Sequence, residues 1–272
     1  SRASSVLLTW DKADATDPTY TVLRSENPED GYEIIARYVA DTAFVDNKAE
    51  EGKTYYYTVK TVDASVNTSP ASSTASATVA PTDALVARYE FEENVHDTTL
   101  NIRHGAIPED GVYAEGKSGR YALSLDGSAQ YVQLPTNVAD HAETTISTWI
   151  YWEGGNNWQR IFDFGNGEDE YMFLTVRSDD GRIRFAIRNG GDEQQIDGER
   201  ITAYRKEWIH LAVTMGEEEV CLYLNGELMA SSKDITLRPS DFHPLLNYIG
   251  RSQFAADPLF NGYIDDFRIY DY

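Results

Sequence analysis

Nine consecutive residues, Trp152 to Arg160 (WEGGNNWQR), bring two indoles, two asparagines, a glutamine, a carboxylate and a guanidinium into one short stretch. Proteins hold sugars with these groups: aromatic faces meet C–H groups, and planar amides, carboxylates and guanidiniums take the hydroxyls. Gly154-Gly155 makes the loop pliable, so that it can bend and present both rings. Trp152, Trp158 and Arg160 are therefore the candidate ligand-binding residues. The competing reading is that the indoles cap the hydrophobic core. A weaker cluster of the same kind, Arg188, Asn189 and Asp192, sits at another glycine-rich turn.

Catalysis finds less support. Asp163, Glu168, Asp169 and Glu170 lie close in sequence. A retaining glycosidase needs two carboxyls about 5 Å apart across a cleft that holds the sugar. Among 45 acidic residues, sequence proximity carries no such information. The five histidines, His96, His104, His141, His210 and His243, show neither helical i,i+4 spacing nor a cysteine partner for zinc. His210 shares a strand with Trp208 and reads as a packed, hydrogen-bonded residue. No nucleophile elbow, phosphate-binding loop or dinucleotide fingerprint occurs, so no catalytic residue is assigned.

Charge narrows the partners. The net charge of −22 leaves no basic stripe to displace counterions from phosphates, which excludes nucleic acid and disfavours anionic lipid surfaces. Dividing the chain at Ala84 leaves both parts acidic, −6 and −16. The charge otherwise reads as a solvated, aggregation-resistant surface. Cys221 is the sole cysteine, which rules out an internal disulfide framework and a cysteine-based zinc site; within Val220 to Leu224 it reads as a buried, inert thiol. No apolar run approaches the roughly 18 residues of a membrane span. The chain lacks a signal peptide and does not begin with Met, so it reads as a piece of a longer precursor.

The elements that must position these side chains are strands. Apolar runs are short and rich in Tyr, Val, Thr and Ile, and no 3.6-residue period is sustained. In residues 1–80, Val6, Leu8 and Trp10 share one face of a strand, Tyr20 and Val22 of a second, and Tyr55, Tyr57 and Val59 of a third. Gly52-x-x-Tyr55 sits where a sandwich places a corner tyrosine, its hydroxyl returning to the chain at the start of the strand. A last strand, Ala75 to Val79, runs into a short linker at Ala80-Pro81-Thr82-Asp83, where Pro81 cannot donate to a ladder. From Leu85 on, strands follow at Ala122 to Leu125, Tyr131 to Leu134, Thr145 to Trp152, Arg160 to Phe164, Tyr171 to Arg177 and Arg182 to Arg188. Hairpin signals stand at Asp179-Asp180-Gly181 and Asn225-Gly226. The chain reads as all-β, with domains over residues 1–80 and 85–272.

Two resemblances sharpen this. The order VLLTW, YTVLRS, GYEIIA, GKTYYYTVKTVD resembles a fibronectin type III domain. Such domains have a strand before the Trp-bearing one, and only Ser1 to Ser5 precede it here, so that strand is expected to be missing or rudimentary. Residues 85–272 resemble the laminin-G-like, concanavalin-A-like jelly rolls of bacterial polysaccharide-degrading enzymes. The resemblance rests on Trp208-x-His210-x-Ala212-Val213-Thr214, Leu222-Tyr223-Leu224-Asn225-Gly226, Ile249-Gly250-Arg251-Ser252 and Gly262-x-Ile264-Asp265-x-Phe267-Arg268-Ile269-Tyr270, with Gly116, Gly119, Leu125-Asp126-Gly127 and Ile146-Ser147-x-Trp149 in order before them.

The resemblance implies a non-catalytic carbohydrate-binding or adhesive module of a secreted, periplasmic or cell-surface bacterial glycoside hydrolase or polysaccharide lyase. Its partners would be a polysaccharide and the catalytic domain of the same precursor, lying N-terminal to Ser1. Catalytic sandwiches of the laminarinase type carry an E-x-D-x-x-E strand, and no segment here matches it. The alternatives are a structural spacer that binds no sugar and, third, a stand-alone hydrolase. The resemblance also implies calcium, held in related jelly rolls by the aspartate of the last strand, here Asp265. Glu92, Asn94 and Asp97, or Asp126 at its turn, would complete the shell; otherwise Asp265 and Asp266 pair with Arg268 or another cation, or cap turns.

Overall fold

Alternating apolar and polar residues, interrupted by Gly, Asn, Asp and Pro, give twenty strands and no α-helix among the described residues. The computed structural model describes residues 5–50, 52–79, 84–108, 110–136 and 138–272. The expected linker at 80–83, and nearly all of the stretch expected to hold a rudimentary first strand, lie outside them. No helix among the described residues is long and apolar enough to cross a membrane. The chain divides into two compact units, Ser1–Ala84 and Leu85–Tyr272.

The first unit holds β1 (Val6–Thr9), β2 (Thr19–Ser25), β3 (Glu33–Val39), β4 (Ala43–Asp46), β5 (Thr54–Val62) and β6 (Ala75–Thr78). Strands β1 and β4 pair as one small sheet, and the other four form a second in the order β3-β2-β5-β6. Val6, Ala49, Tyr55, Tyr57 and Val79 make its core. The Tyr55 hydroxyl accepts the Glu50 N–H at 3.2 Å, tying β5 back to the loop before it. Asp46, 3% exposed, takes the Tyr57 hydroxyl at 3.1 Å and Arg24 Nη1 at 2.8 Å, so this buried carboxylate is paired.

The second unit holds β7 (Leu85–Tyr89), β8 (Val112–Glu115), β9 (Tyr121–Asp126), β10 (Val132–Leu134), β11 (Thr144–Trp152), β12 (Arg160–Gly165) and β13 (Glu170–Thr175). It continues through β14 (Arg182–Asn189), β15 (Gln194–Arg200), β16 (Trp208–Met215), β17 (Val220–Leu224), β18 (Glu227–Ser232), β19 (Leu246–Ile249) and β20 (Asn261–Tyr270). Two antiparallel sheets result. One has six strands, β10-β19-β12-β13-β14-β15, and the other has β18-β17-β16-β11-β20-β9-β8, with β7 also paired to β20. Phe162, Phe164, Met172, Leu174 and Phe185 from the first interlock with Ile150, Leu211, Val213, Ile264 and Phe267 from the second in one continuous core. This is a jelly-roll sandwich.

The outer face of the six-stranded sheet is also apolar in one place. Tyr171, Phe173 and Ala186 alternate with inward Met172, Leu174 and Phe185, and Trp158 and Phe254 pack on them as a satellite cluster.

Candidate functional site

A β-bulge builds this site. Arg160 pairs with Thr175 and Phe162 with Leu174, which leaves Ile161 as the extra residue in β12. Ile161 and Phe162 both point inward, fully buried, and Arg160 and Asp163 emerge three residues apart on the outer face. Arg160 Nε then donates to Asp163 Oδ2 at 3.3 Å, Nη1 to the Trp158 carbonyl at 3.1 Å, and Nη2 lies 3.0 Å from Asp257. The guanidinium lies 3.8 Å over the Phe173 ring and 5.4 Å from that of Trp158, within cation–π range of both.

Asp163 is the post beneath this arrangement. Fully buried, its Oδ2 also accepts the Gln253 N–H at 3.1 Å and lies 3.3 Å from the Ser252 hydroxyl, which anchors the loop between β19 and β20. Burial pushes its carboxyl up to about 7, against Arg160 and the Gln253 N–H. Ser252 in turn donates to Asp257 at 2.9 Å. Both polar walls of the site therefore hang on one buried carboxylate.

Above them opens a cavity of about 200 Å³. Trp158, Tyr171, Phe173 and Phe254 form its aromatic walls, and Arg160, Glu193 and Asp257 supply its polar groups. Phe254 stands edge-on to Tyr171 at 5.5 Å, and Trp158 edge-on to Phe173 at 6.4 Å. The Tyr171 hydroxyl donates to Glu193 at 2.6 Å; burial, then Glu193, pushes the phenol pKa upward, so it remains the donor.

The structure separates the three residues expected to bind ligand. Trp152 is 2% exposed, packs in the inter-sheet core and donates its indole N–H to Gln159 at 2.9 Å. This corrects its placement beside Trp158: position 152 continues the inward set of Ile146 and Ile150 in β11. Trp158 is half-buried outside that core, its indole N–H on Asp179 at 2.9 Å and its ring also near Arg184 at 5.7 Å. Its φ of +70° lies in the left-handed region, uncommon for a bulky residue and a mark of a constrained loop end. Arg160 lines the cavity although little of it is exposed.

The glycine pair serves a left-handed backbone and close approach of neighbouring side chains. Gly154 and Gly155 have φ of +110° and +133°, and a Cβ would strike the Arg205 guanidinium at 2.6 Å in one case and the Gln159 amide in the other. The Gly154 carbonyl accepts from Gln159 and Asn261, both at 3.3 Å. In the weaker cluster, Arg188 pairs with Asp169 and Asn189 donates to the Asp241 carbonyl, which holds loops together. Tyr171, Phe173, Glu193, Phe254 and Asp257 were not singled out from sequence. The available signal was in EYMFLT, where both faces of one strand are apolar.

The carboxylates expected to hold calcium fall in two places. Asp265 Oδ2 accepts the N–H groups of Lys117 and Ser118, each at 2.7 Å, and Glu92 Oε1 accepts that of Arg120 at 2.7 Å. Both therefore face the loop from Gly116 to Tyr121. Gly119 is required there, with φ +88° and the Glu92 carboxylate where a Cβ would lie. Asp265 is fully buried, its Oδ1 has no partner, and burial pushes its carboxyl up to about 6. An orphaned buried carboxylate oxygen fits a cation. Arg268 is not that cation: it pairs with Asp266, as does Arg88 at 2.8 Å, and against burial the two arginines hold the Asp266 carboxyl below its ordinary value. Asp126 does not fit. It caps its own turn through Ser128 and Ala129 and pairs across the sheet with Asn261, four positions along β20 from Asp265. Asp97 likewise satisfies Arg88, Thr99 and Arg103 N–H groups. No cluster of three or more His, Cys, Asp or Glu with metal-binding geometry occurs among the described residues.

Residues 126–272, just over half of the chain, match the family described as the concanavalin A-like lectin/glucanases superfamily. The chain belongs to this superfamily. A curated relative, an alpha-L-arabinofuranosidase of Bifidobacterium longum subsp. longum, is 24% identical over 191 residues, 63% of this chain. The match spans 17% of that enzyme's length. Among solved structures, domain 4 of AbnA, a GH43 extracellular arabinanase from Geobacillus stearothermophilus in complex with arabinotriose, superimposes with a TM-score of 0.60 at 24% identity. That match covers 68% of this chain and 91% of that one. A botulinum neurotoxin type C structure, from work on cell entry dependent upon two ganglioside molecules, gives a TM-score of 0.54 at 18% identity, over 70% and 48% of the two chains. At these identities the structural likenesses establish the fold, a lectin-like sandwich.

Proposed function

We propose that residues 85–272 are a non-catalytic carbohydrate-binding module of a larger extracellular bacterial glycoside hydrolase, preceded by a fibronectin type III-like spacer. The observation that carries this reading is the aromatic cavity at Trp158, with its fixed guanidinium and two carboxylates, on the outer face of a lectin-like sheet. Rings for C–H groups stand beside polar partners for hydroxyls. The relation to an arabinofuranosidase, over a small share of that enzyme, supports an accessory role. So does the state of the carboxylates once considered for hydrolysis: Asp163 is fully buried beneath Arg160, and Asp169 and Glu170 are engaged by Arg188 and Asn166. The Tyr55 hydroxyl bond and the two small sheets of the first unit support the spacer.

A structural calcium belongs to the same proposal, with Asp265 and Glu92 as the residues that would hold it. The orphaned Asp265 Oδ1 supports it. The ion would neutralise a buried charge and fasten the loop between β8 and β9.

Titration of the chain and its Trp158→Ala variant with arabino-oligosaccharides, the ligand type of the AbnA domain, and then with a broad glycan panel, tests the reading. A wild-type protein that binds, and a variant that melts normally but binds weakly, are the expected results. If nothing binds, the spacer alternative stands.

A further inference from the structure

We infer that the Trp158 cavity takes one uncharged sugar ring through its hydroxyl hydrogens, and turns away uronic and sulfated sugars. This rests on the glycan-binding reading and adds the chemical class of the ligand.

Size is the first argument. At about 200 Å³ the cavity is smaller than the roughly 300–1,000 Å³ of pockets that enclose drug-sized ligands, so it holds a single ring at a chain end or branch. Hydrogen-bond polarity is the second. Glu193 Oε2 is taken by Tyr171 and Asp257 Oδ2 by Arg160 and Ser252. Glu193 Oε1 and Asp257 Oδ1 accept no hydrogen bond from the described residues, so each carboxylate at the cavity keeps an open acceptor. They require a ligand that donates, as a polyol does through its O–H groups. A sugar carboxylate or sulfate would bring acceptors to acceptors and negative charge to negative charge.

The cations nearby do not reverse this. Arg160 lies between Asp163 and Asp257, Arg184 is held by Asp197 through two bonds of 2.6 and 3.0 Å, and Arg188 is held by Asp169 and the Gly191 carbonyl. Each guanidinium is already matched by a carboxylate of the chain. None of these three brings an unmatched positive charge to an incoming anion.

Calorimetric titration of the whole chain with two sets of probes decides the matter. The neutral set is arabinose, xylose and galactose with their linear trisaccharides; the acidic set is galacturonic acid, its trisaccharide and a sulfated galactan fragment. The expected result is binding within the neutral set only, with the monosaccharide within about tenfold of its trisaccharide and little dependence on salt. Glu193→Gln, at an exposed position, should melt like wild type and weaken that binding about tenfold, because an acceptor becomes in part a donor. Trp158-dependent binding of an acidic probe that fades as salt rises would overturn the inference and leave the glycan-binding reading intact. Trp158-dependent binding that needs all three linked rings would do the same. Failure of every probe in both sets would instead remove the reading beneath it.

Discussion

Trp152 and Trp158 lie six positions apart and serve opposite sides of one sheet, the inter-sheet core and the outer face. The first continues an inward strand face; the second sits after the turn, outside the sandwich core, held by its φ and its bond to Asp179. Trp152→Ala should cost about 3–5 kcal/mol of stability, measured by denaturant unfolding. Trp158→Ala should leave melting close to wild type and weaken glycan binding roughly 5- to 150-fold, the value of about 1–3 kcal/mol for a stacked ring. The reverse assignment of these two losses would refute the site. His210 gives a pH prediction. Burial first, then Arg268, lowers its pKa to about 4, with the ring edge-on to Trp149 at 5.2 Å. An unfolded histidine titrates near 6.5, so between about pH 6.5 and 4 the unfolded chain holds a proton that the folded chain does not. Stability should therefore fall as pH drops through that window. His210→Gln should flatten that part of a melting-against-pH profile, and an unchanged profile would show that the ring titrates normally.

At the scale of elements, the loop between β8 and β9 makes a sharp test of the metal. Calcium bound only by the folded state stabilises it by RT ln(1 + [Ca]/Kd), about 2.7 kcal/mol at one hundred times Kd. Chelation should lower the melting temperature, and Asp265→Asn should abolish the difference. Protons compete for the same carboxylate, so the calcium effect should shrink as pH falls through about 6. Native protein without calcium by metal analysis, melting identically with and without added ion, would exclude the site. Elements were also the level most legible in sequence. The alternation in Thr145 to Trp152 and Arg182 to Arg188 marked β11 and β14 to within a residue, and Asn225-Gly226, at φ +51° and +84°, forms the hairpin it signalled. Five of the seven residues lining the site were not legible, for two physical reasons. The bulge at Ile161 interrupts alternation without a composition signal, so the shared face of Arg160 and Asp163 is invisible in the string. Phe254 and Asp257 reach the cavity from a loop more than ninety residues away, brought there by the β12–β19 pairing.

At the scale of the whole molecule, two apolar cores are built from separate stretches, one from Val6 to Val79 and the other from Val86 to Ile269. Each buries its own aromatic residues, which is the condition for folding independently. Residues 85–272 expressed alone should fold, keep a cooperative melt and retain the glycan affinity of the full chain. A fragment that is molten, or that loses binding while folded, would make the first unit part of the working module. The two acidic surfaces also set a solution property. A net charge of −22 favours solubility, and it should keep the chain away from polyanions at low salt more strongly than at high salt.

The bulge at Ile161 is confined to one residue. Every pair flanking it, Arg160 with Thr175, Phe162 with Leu174 and Asp163 with Phe173, is already in the register of an unbroken ladder. Loss of the single codon for Ile161 would therefore leave the pairing partners of β12 unchanged while removing the kink that seats Arg160 over Phe173. What the extra residue changes is the spacing of Arg160 and Asp163, which stand three positions apart with it and would stand two apart without it. The extra residue therefore sits between two stretches of ladder that already match, and a change at this one position needs no reshuffling of strands.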